Sequence, residues 1–155
     1  DLEDYGEDSG NNAVSWCLGS QYWSRNPHSP NYTAKYGILL DMVGSKNARF
    51  TKEQVSMRYA PTVMNKVWKL ANAMGYGGFF VEDKGRALTD DHLFVNQIAK
   101  IPMIDIINFP VGSETGFMKH WHTTHDDMKH IDKRTLKAVG QVVLATIYRE
   151  ASGRF

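Results

Sequence analysis

Residues 37–44 read GILLDMVG, a short apolar run with one acid close to its end. Runs of roughly four to eight apolar residues bounded by turn residues are typical of buried strands. We therefore predict a strand from Tyr36 to Val43, stopped by Gly44-Ser45. An unpaired carboxylate at the end of such a strand is costly, so Asp41 should have a metal, a cation or a shared proton as its partner. A structural hydrogen bond to a loop amide is the alternative.

Strands and helices alternate on both sides of this run. Further strands are predicted at Phe79–Glu82 and Met103–Asn108. Helices are predicted over Ala13–Arg25, from Thr51 as N-cap to a break at Pro61, and over Thr62–Met74, Asp90–Ala99 and Asp132–Ala151. The alternation predicts an α/β fold, specifically a three-layer α/β/α sandwich with a mostly parallel central sheet. In such sheets the chemistry lies in loops beyond the carboxyl ends of strands.

Two helices show a periodic apolar face that we expect to point inward. In the helix after Pro61, this face consists of Val63, Val67, Leu70, Ala71 and Met74. In the last helix, it consists of Leu136, Val139, Val143 and Ile147.

Composition excludes several classes of protein. The chain has 155 residues, of which 42% are hydrophobic and 23% charged, as is usual for a globular protein with a real core. Eighteen basic and seventeen acidic residues leave a net charge of +1, so no strong field attracts nucleic acid or an anionic membrane. The longest apolar stretches are too short to span a bilayer. A lone cysteine, Cys17, excludes an internal disulfide and a cysteine-based zinc finger.

A histidine cluster is the strongest chemical signal. Four of the six histidines fall within eleven residues, with a tryptophan and two acids among or beside them: His120, Trp121, His122, His125, Asp126, Asp127 and His130. Histidines with carboxylates and no thiolate suit a zinc site that is open to substrate. A polar surface loop that precedes a helix is the alternative interpretation.

Two acidic pairs are weaker signals. Side chains of neighbours in an extended segment point apart, so in Glu3-Asp4 one acid could bind a metal while the other moves a proton. A solvated acidic doublet is the alternative. Asp90-Asp91-His92 is either a helix N-cap with a spare acid or a second functional carboxylate.

In their order along the chain, these segments resemble the zinc-dependent glutaminyl cyclases, and in particular the bacterial cyclases of the animal type. They also resemble the wider M28 family of zinc exopeptidases. The family elements D-G-E-E, L-L-D-L-[IL]-G, Q-D-D-H and V-P-V-L-x-L-I correspond to DLED at 1–4, LLDMVG at 39–44, TDDH at 89–92 and IPMIDII at 101–107. The family element W-H-T-x-D-D corresponds to WHT at 121–123 together with DD at 126–127. Each motif is weak alone, and five in the right order are specific.

The resemblance implies a zinc enzyme. It makes Asp4 and His122 zinc ligands, Glu3 the general acid/base, and Asp41 and Asp90 a carboxylate hydrogen-bond network beside it. The implied reaction is cyclisation of an N-terminal glutamine to pyroglutamate with release of ammonia. The implied partners are peptides or proteins with N-terminal glutamine, without nucleic acid or a membrane span. Export to the periplasm or beyond is expected from the resemblance alone.

The resemblance also implies that Phe117 and Trp121 line the pocket for the glutamine side chain. An M28-type aminopeptidase with two zinc ions remains an alternative, in which Asp41 would bind the second metal and Glu3 would activate water. A non-enzymatic domain that retains the fold is the third possibility.

Several departures from the family pattern bear on the site. The family's first zinc ligand precedes the acidic doublet, so we expect residues 1–155 to be a single catalytic domain that lacks its N-terminal portion. Asp4 replaces a glutamate and Thr89 a glutamine. Trp16 and Trp23 are both candidates for the tryptophan that follows the doublet in the family.

Overall fold

The computed structural model describes residue 6 and residues 13–110, 112–113 and 116–155. By its contacts, the chain divides into two compact units. The first unit consists of Asp1–Leu39, Glu53–Val63 and Arg86–Asp105, and the second of Leu40–Lys52, Met64–Gly85 and Ile106–Phe155.

Helices and strands alternate along the described residues, which confirms the α/β class. The strands are β1 (Gly37–Asp41), β2 (Phe50–Lys52), β3 (Phe80–Lys84) and β4 (Met103–Ile107). The α-helices are α1 (Leu18–Arg25), α2 (Gln54–Tyr59), α3 (Pro61–Ala73), α4 (Asp91–Phe94) and α5 (Lys133–Ala151). A π-helical turn at Val95–Ala99 continues α4, and 3₁₀ turns occupy Ala13–Ser15 and Met128–His130. β1 neighbours β4, and β2 pairs in parallel with β3.

β1 is shorter than predicted because of its backbone. The strand ends at Asp41, and Met42 takes a left-handed conformation with φ of 48°. That conformation cannot continue a strand, so the chain turns before Val43. Asp41 is therefore the last residue of the strand, closer to the turn than the prediction placed it.

The predicted start of α2 is wrong. Thr51 lies in β2, a strand that the sequence analysis did not anticipate, and Glu53 is the N-cap. The Glu53 carboxylate accepts hydrogen bonds from Val55 N at 2.7 Å and Ser56 N at 2.6 Å. The predicted break is confirmed, because α2 ends at Tyr59 and α3 begins at Pro61, where a missing N–H does no harm.

The predicted inward face of α5 is only partly confirmed, because Val139 is buried and Val143 half-buried while the other two residues are exposed. Leu136 and Ile147 are 43% and 57% exposed, and the buried residues are Thr135, Ala138, Val139, Val142 and Thr146. Both sets have helical spacing, and the smaller side chains occupy the buried face. The predicted N-cap is confirmed, since the Asp132 carboxylate accepts a hydrogen bond from Arg134 N at 2.8 Å.

The core of the second unit is built around aromatic side chains. Trp68 of α3 packs edge-on against Phe80 of β3 at 5.1 Å between ring centroids, and Phe80 lies 5.2 Å from Phe50 of β2. All three side chains are fully buried. The indole Nε1 donates to the carbonyl of Val81 at 2.9 Å, so the polar end of Trp68 is satisfied inside the core. These contacts join α3 to both parallel strands.

α3 buries a face close to the predicted one. Val67, Leu70 and Ala71 are buried as expected, together with Met64 and Trp68. Gly75 follows the helix with φ of 85°, the left-handed conformation that ends a helix at low steric cost in glycine. Within the described residues, none of the helices is both long and apolar enough to cross a membrane.

Replacing Trp68 by alanine should lower the free energy of unfolding by about 3–5 kcal/mol, since it removes a fully buried indole and leaves a cavity. Trp68→Phe keeps a ring in place and loses mainly the hydrogen bond to Val81, so it should cost about 1–2 kcal/mol. Denaturant unfolding measures both values. A loss below about 1 kcal/mol for Trp68→Ala would show that this cluster does not anchor the second unit.

Candidate active site

Asp41 stands at the carboxyl end of β1, where chemistry is expected in α/β folds. Its side chain is half-buried. The left-handed turn at Met42 directs the chain away from the strand immediately after it. The structure thus places this carboxylate at a strand end, as the sequence predicts.

Four aromatic rings form a continuous series in the second unit. Phe109 contacts Phe117 at 5.0 Å in a T-shaped pair, and Phe117 stacks on Trp121 at 4.3 Å. Trp121 in turn stacks on the imidazole of His122 at 3.7 Å with an interplanar angle of 20°. Phe117, Trp121 and His122, singled out from the sequence, are therefore in direct contact. We call these three residues the aromatic–histidine stack.

His122 has an unusual backbone. Its φ is 55°, in the left-handed region, which costs roughly 1–2 kcal/mol for a residue with a Cβ. Turn hydrogen bonds surround it, from Trp121 N to Met118 O at 2.9 Å and from Thr123 N to His120 O at 3.1 Å. His122 is exposed while its ring lies flat on Trp121. The orientation of the His122 imidazole is therefore set in part by its packing on Trp121.

The remaining polar residues of the histidine cluster make contacts of a structural kind. His120 stacks on His130 at 3.8 Å, and its Nε2 lies 3.7 Å from Asp126 Oδ1. Asp127 caps the 3₁₀ turn at Met128–His130, and its pKa is lowered by hydrogen bonds from the backbone and side chain of Lys129. These contacts are those of a polar loop that precedes a helix.

Asp90 lies in the first unit and is the N-cap of α4. Its Oδ1 accepts a hydrogen bond from Asp91 N at 2.6 Å, and the buried Cys17 thiol lies 4.0 Å from the same oxygen. Capping therefore accounts for one acid of the Asp90-Asp91-His92 segment, as one of the two interpretations proposed.

His92 belongs to a buried network that the sequence analysis missed. Its Nε2 lies 3.1 Å from Glu53 Oε2, and its Nδ1 lies 3.9 Å from Asp105 Oδ2. Burial raises the pKa of Glu53, but His92 and the backbone amides of Ser56 and Val55 bring the pKa below its ordinary value. Glu53 is thus a buried carboxylate held in its ionised form. Glu53 and His92 are 39 positions apart in the sequence, so no local pattern could have revealed the pair.

Among the described residues, two groups of side chains have ligand atoms close enough together to hold a metal ion, and both groups lie in the first unit. Cys17, Asp90 and Asp91 form one, and Asp90, His92 and Asp105 form the other, with ligand atoms within 4.8 Å of one another. Neither contains His122. In the second group, the His92 ring already contacts Glu53, so the arrangement serves the buried network. Glu3 and Asp4, predicted as acid/base and metal ligand, lie outside the described residues.

The two tryptophan candidates occupy different surroundings. A Cβ on Gly6 would lie 1.9 Å from the Trp16 ring, so this ring packs directly on the backbone shortly after Glu3-Asp4. Trp23 instead lines an apolar cavity of about 360 Å³ in the first unit, together with Asp91 and Val95. Of the two candidates, Trp16 is therefore the one in contact with Gly6.

Solved structures similar to this chain come from several bacteria. Porphyromonas gingivalis glutaminyl cyclase is 51% identical, with a TM-score of 0.92 over 97% of this chain and 54% of its own. Bacteroides thetaiotaomicron glutaminyl cyclase bound to N-acetylhistamine is 55% identical, with a TM-score of 0.90 over 96% of this chain and 51% of its own. A Zn-dependent exopeptidase from Parabacteroides distasonis is 53% identical, with a TM-score of 0.87 over 94% and 49%.

Two further findings are the share of its relatives' length that the chain covers and the family that it matches. The chain covers about half the length of the solved structures that it resembles. Among curated proteins, none matches it in sequence. Residues 3–147 match the family described as peptidase family M28. With nearly its whole length inside that match, the chain belongs to peptidase family M28.

Proposed function

We propose that the intact protein is a zinc-dependent glutaminyl-peptide cyclotransferase. One geometric observation supports the proposal: the imidazole of His122, which we assign to the metal, stacks on Trp121, which in turn stacks on Phe117. A metal ligand and a surface that excludes water are thus side by side, which suits an intramolecular attack that must compete with hydrolysis. The similarity to two solved structures described as glutaminyl cyclases supports the same activity.

Zinc fits the donor set of this chain. An oriented imidazole at His122 and a carboxylate at Asp4 are ligand types found in open, catalytic zinc sites, and such sites use about three protein ligands. We assign His122 and Asp4 to the metal, and a further ligand would complete the site. Bound there, zinc would polarise the γ-carbonyl of the substrate glutamine. The similarity to a Zn-dependent exopeptidase is consistent with this metal.

In this proposal, side chains of the protein transfer the proton and keep water away from the reacting carbonyl. We assign to Glu3 the proton that the substrate α-amine loses as its nitrogen bonds to the carbonyl carbon of the side-chain amide. Glu3 returns that proton when the bond to the amide nitrogen breaks, so ammonia leaves and pyroglutamate remains. Asp41 and Asp90 are assigned to the acid–base network of the same reaction. Phe117 and Trp121 shield the reacting carbonyl from water.

The proposed substrates are peptides or proteins with N-terminal glutamine. We further propose a periplasmic or secreted location, which rests on the family resemblance. The alternative activity, a di-zinc aminopeptidase, differs in its product and in its metal content, so one assay separates the two.

Incubated with a Gln-initiated peptide, the zinc-loaded intact protein should form the pyroglutamyl peptide and one equivalent of ammonia. A zinc chelator should abolish both, because the carbonyl is no longer polarised. Mass spectrometry and an ammonia assay report the products. Hydrolysis of leucine amides without cyclisation, together with two zinc ions per chain, would establish the aminopeptidase instead.

Glu3→Gln should lower kcat about a hundredfold or more, the usual scale for a lost acid/base, while zinc stays bound. Steady-state kinetics and metal analysis test the two parts. Glu7→Gln, a matched change in the same acidic segment, should leave kcat within about twofold of the parent. Equal kcat in Glu3→Gln and the parent would remove Glu3 from the mechanism.

Trp121→Ala should lower kcat/KM for a Gln peptide by about tenfold or more, because it removes the ring that orients His122 and walls the pocket. Trp121→Phe retains a stacking ring and should lose much less. The exposed Tyr148 provides a control, since Tyr148→Ala should leave kcat/KM unchanged. Indistinguishable kinetics for Trp121→Ala and the parent would contradict the role of the stack.

A further inference from the structure

Glu53 makes more contacts than a helix cap needs. Its Oε1 accepts hydrogen bonds from Val55 N at 2.7 Å and Leu88 N at 3.0 Å. Its Oε2 accepts from Ser56 N at 2.6 Å and lies 3.1 Å from His92 Nε2. Only 1% of the residue is exposed. Two of these partners belong to α2, and the other two come from a distant segment of the same unit.

In the sequence, the two distant partners flank Asp90 at equal spacing. Leu88 precedes it by two residues and His92 follows it by two. One carboxylate therefore fixes the chain on both sides of Asp90, which itself begins α4 by accepting from Asp91 N at 2.6 Å. Displacement of Glu53 would release the backbone before Asp90 and the side chain after it together.

The contacts of Glu53 continue through Ser56 to Asp105. Ser56 donates its amide to Glu53 and accepts, at its Oγ, the amide of Asp105 at 2.9 Å. The Asp105 carboxylate in turn lies 3.9 Å from His92 Nδ1, and the other nitrogen of that ring faces Glu53. All four residues are at most 1% exposed. Water therefore does not compete for these contacts.

The length of the Glu53 side chain determines which partners its carboxylate can contact. An aspartate or serine suffices to cap α2 through Val55 and Ser56. The additional methylene of a glutamate gives the carboxylate the reach to contact Leu88 and His92 as well. A buried carboxylate costs several kcal/mol unless it is fully hydrogen-bonded, so a residue used only as a cap would be better served by a neutral group.

We propose that Glu53 is a positioning residue that sets the location of the Asp90 carboxylate through Leu88 and His92. The inference rests on the proposed cyclase function, in which Asp90 belongs to the acid–base network. Glu53 itself acts through Asp90 and touches no substrate.

The test uses Glu53→Gln in the zinc-loaded intact protein. The amide keeps the shape of the side chain, but its NH₂ group cannot accept the donors that face it. We expect kcat to fall by about tenfold or more while KM changes by less than about threefold. Asp132→Asn, a matched change of another capping acid, should leave kcat within about twofold of the parent.

A double-mutant cycle separates positioning from general stability. Because Glu53 acts through Asp90, Glu53→Gln should lower kcat by less than about twofold in an Asp90→Asn background. A loss of the same factor in both backgrounds would assign Glu53 a purely structural role and overturn the proposal. Should Glu53→Gln fail to fold, His92→Gln, which retains an N–H donor near the original Nε2, takes its place in the same cycle.

A crystal structure of Glu53→Gln provides a readout independent of activity. We expect the Asp90 carboxylate to be displaced from its position in the parent, and an unmoved carboxylate would overturn positioning while leaving the cyclase function intact. A parent protein that forms no pyroglutamate would instead overturn the proposed function, and with it the role given to Asp90.

Discussion

The ionised carboxylate of Glu53 is the constraint on which the first unit depends. Burial alone raises the pKa of such a group, and here the contact with His92 and the amides of Ser56 and Val55 reverse the effect. The lowered pKa of Glu53 therefore depends on α2 and on the His92 ring staying in place. Local helix formation and long-range packing are thereby coupled through two oxygen atoms.

The second unit is organised by packing instead of charge. Trp68, Phe80 and Phe50 fill its interior, and a single indole hydrogen bond fixes the orientation of the largest ring. The stack of Phe117, Trp121 and His122 repeats the same principle close to the surface. The His122 imidazole is oriented by its stacking on Trp121, whereas the orientation of the His92 ring is set by its contact with the Glu53 carboxylate.

Local patterns in the sequence predicted the elements well. The apolar run before Asp41, the break at Pro61 and the cap at Asp132 each depend on neighbouring residues, and the structure has all three. The aromatic–histidine stack could likewise have been predicted from the sequence, because its members lie within six residues of one another.

What the sequence could not reveal depends on distant contacts or on competing local ones. β2 is only three residues long, and its pairing with β3 joins segments far apart in the chain. Glu53, and not Thr51, caps α2. Its carboxylate accepts hydrogen bonds from two amides of that helix and from a distant amide as well. On α5, two faces have helical spacing, and only the packed structure distinguishes them.

The left-handed backbone at His122 limits which side chains could replace the imidazole in its proposed role as a zinc ligand. Among the other ligand-bearing residues, aspartate tolerates this conformation best, whereas cysteine has no comparable local hydrogen bond to offset the strain. A carboxylate there would shift the preference toward harder ions such as Mn²⁺ or Mg²⁺, and a thiolate would carry a conformational penalty before any metal bound. Backbone geometry thus narrows the ligand chemistry that mutation can explore at this position.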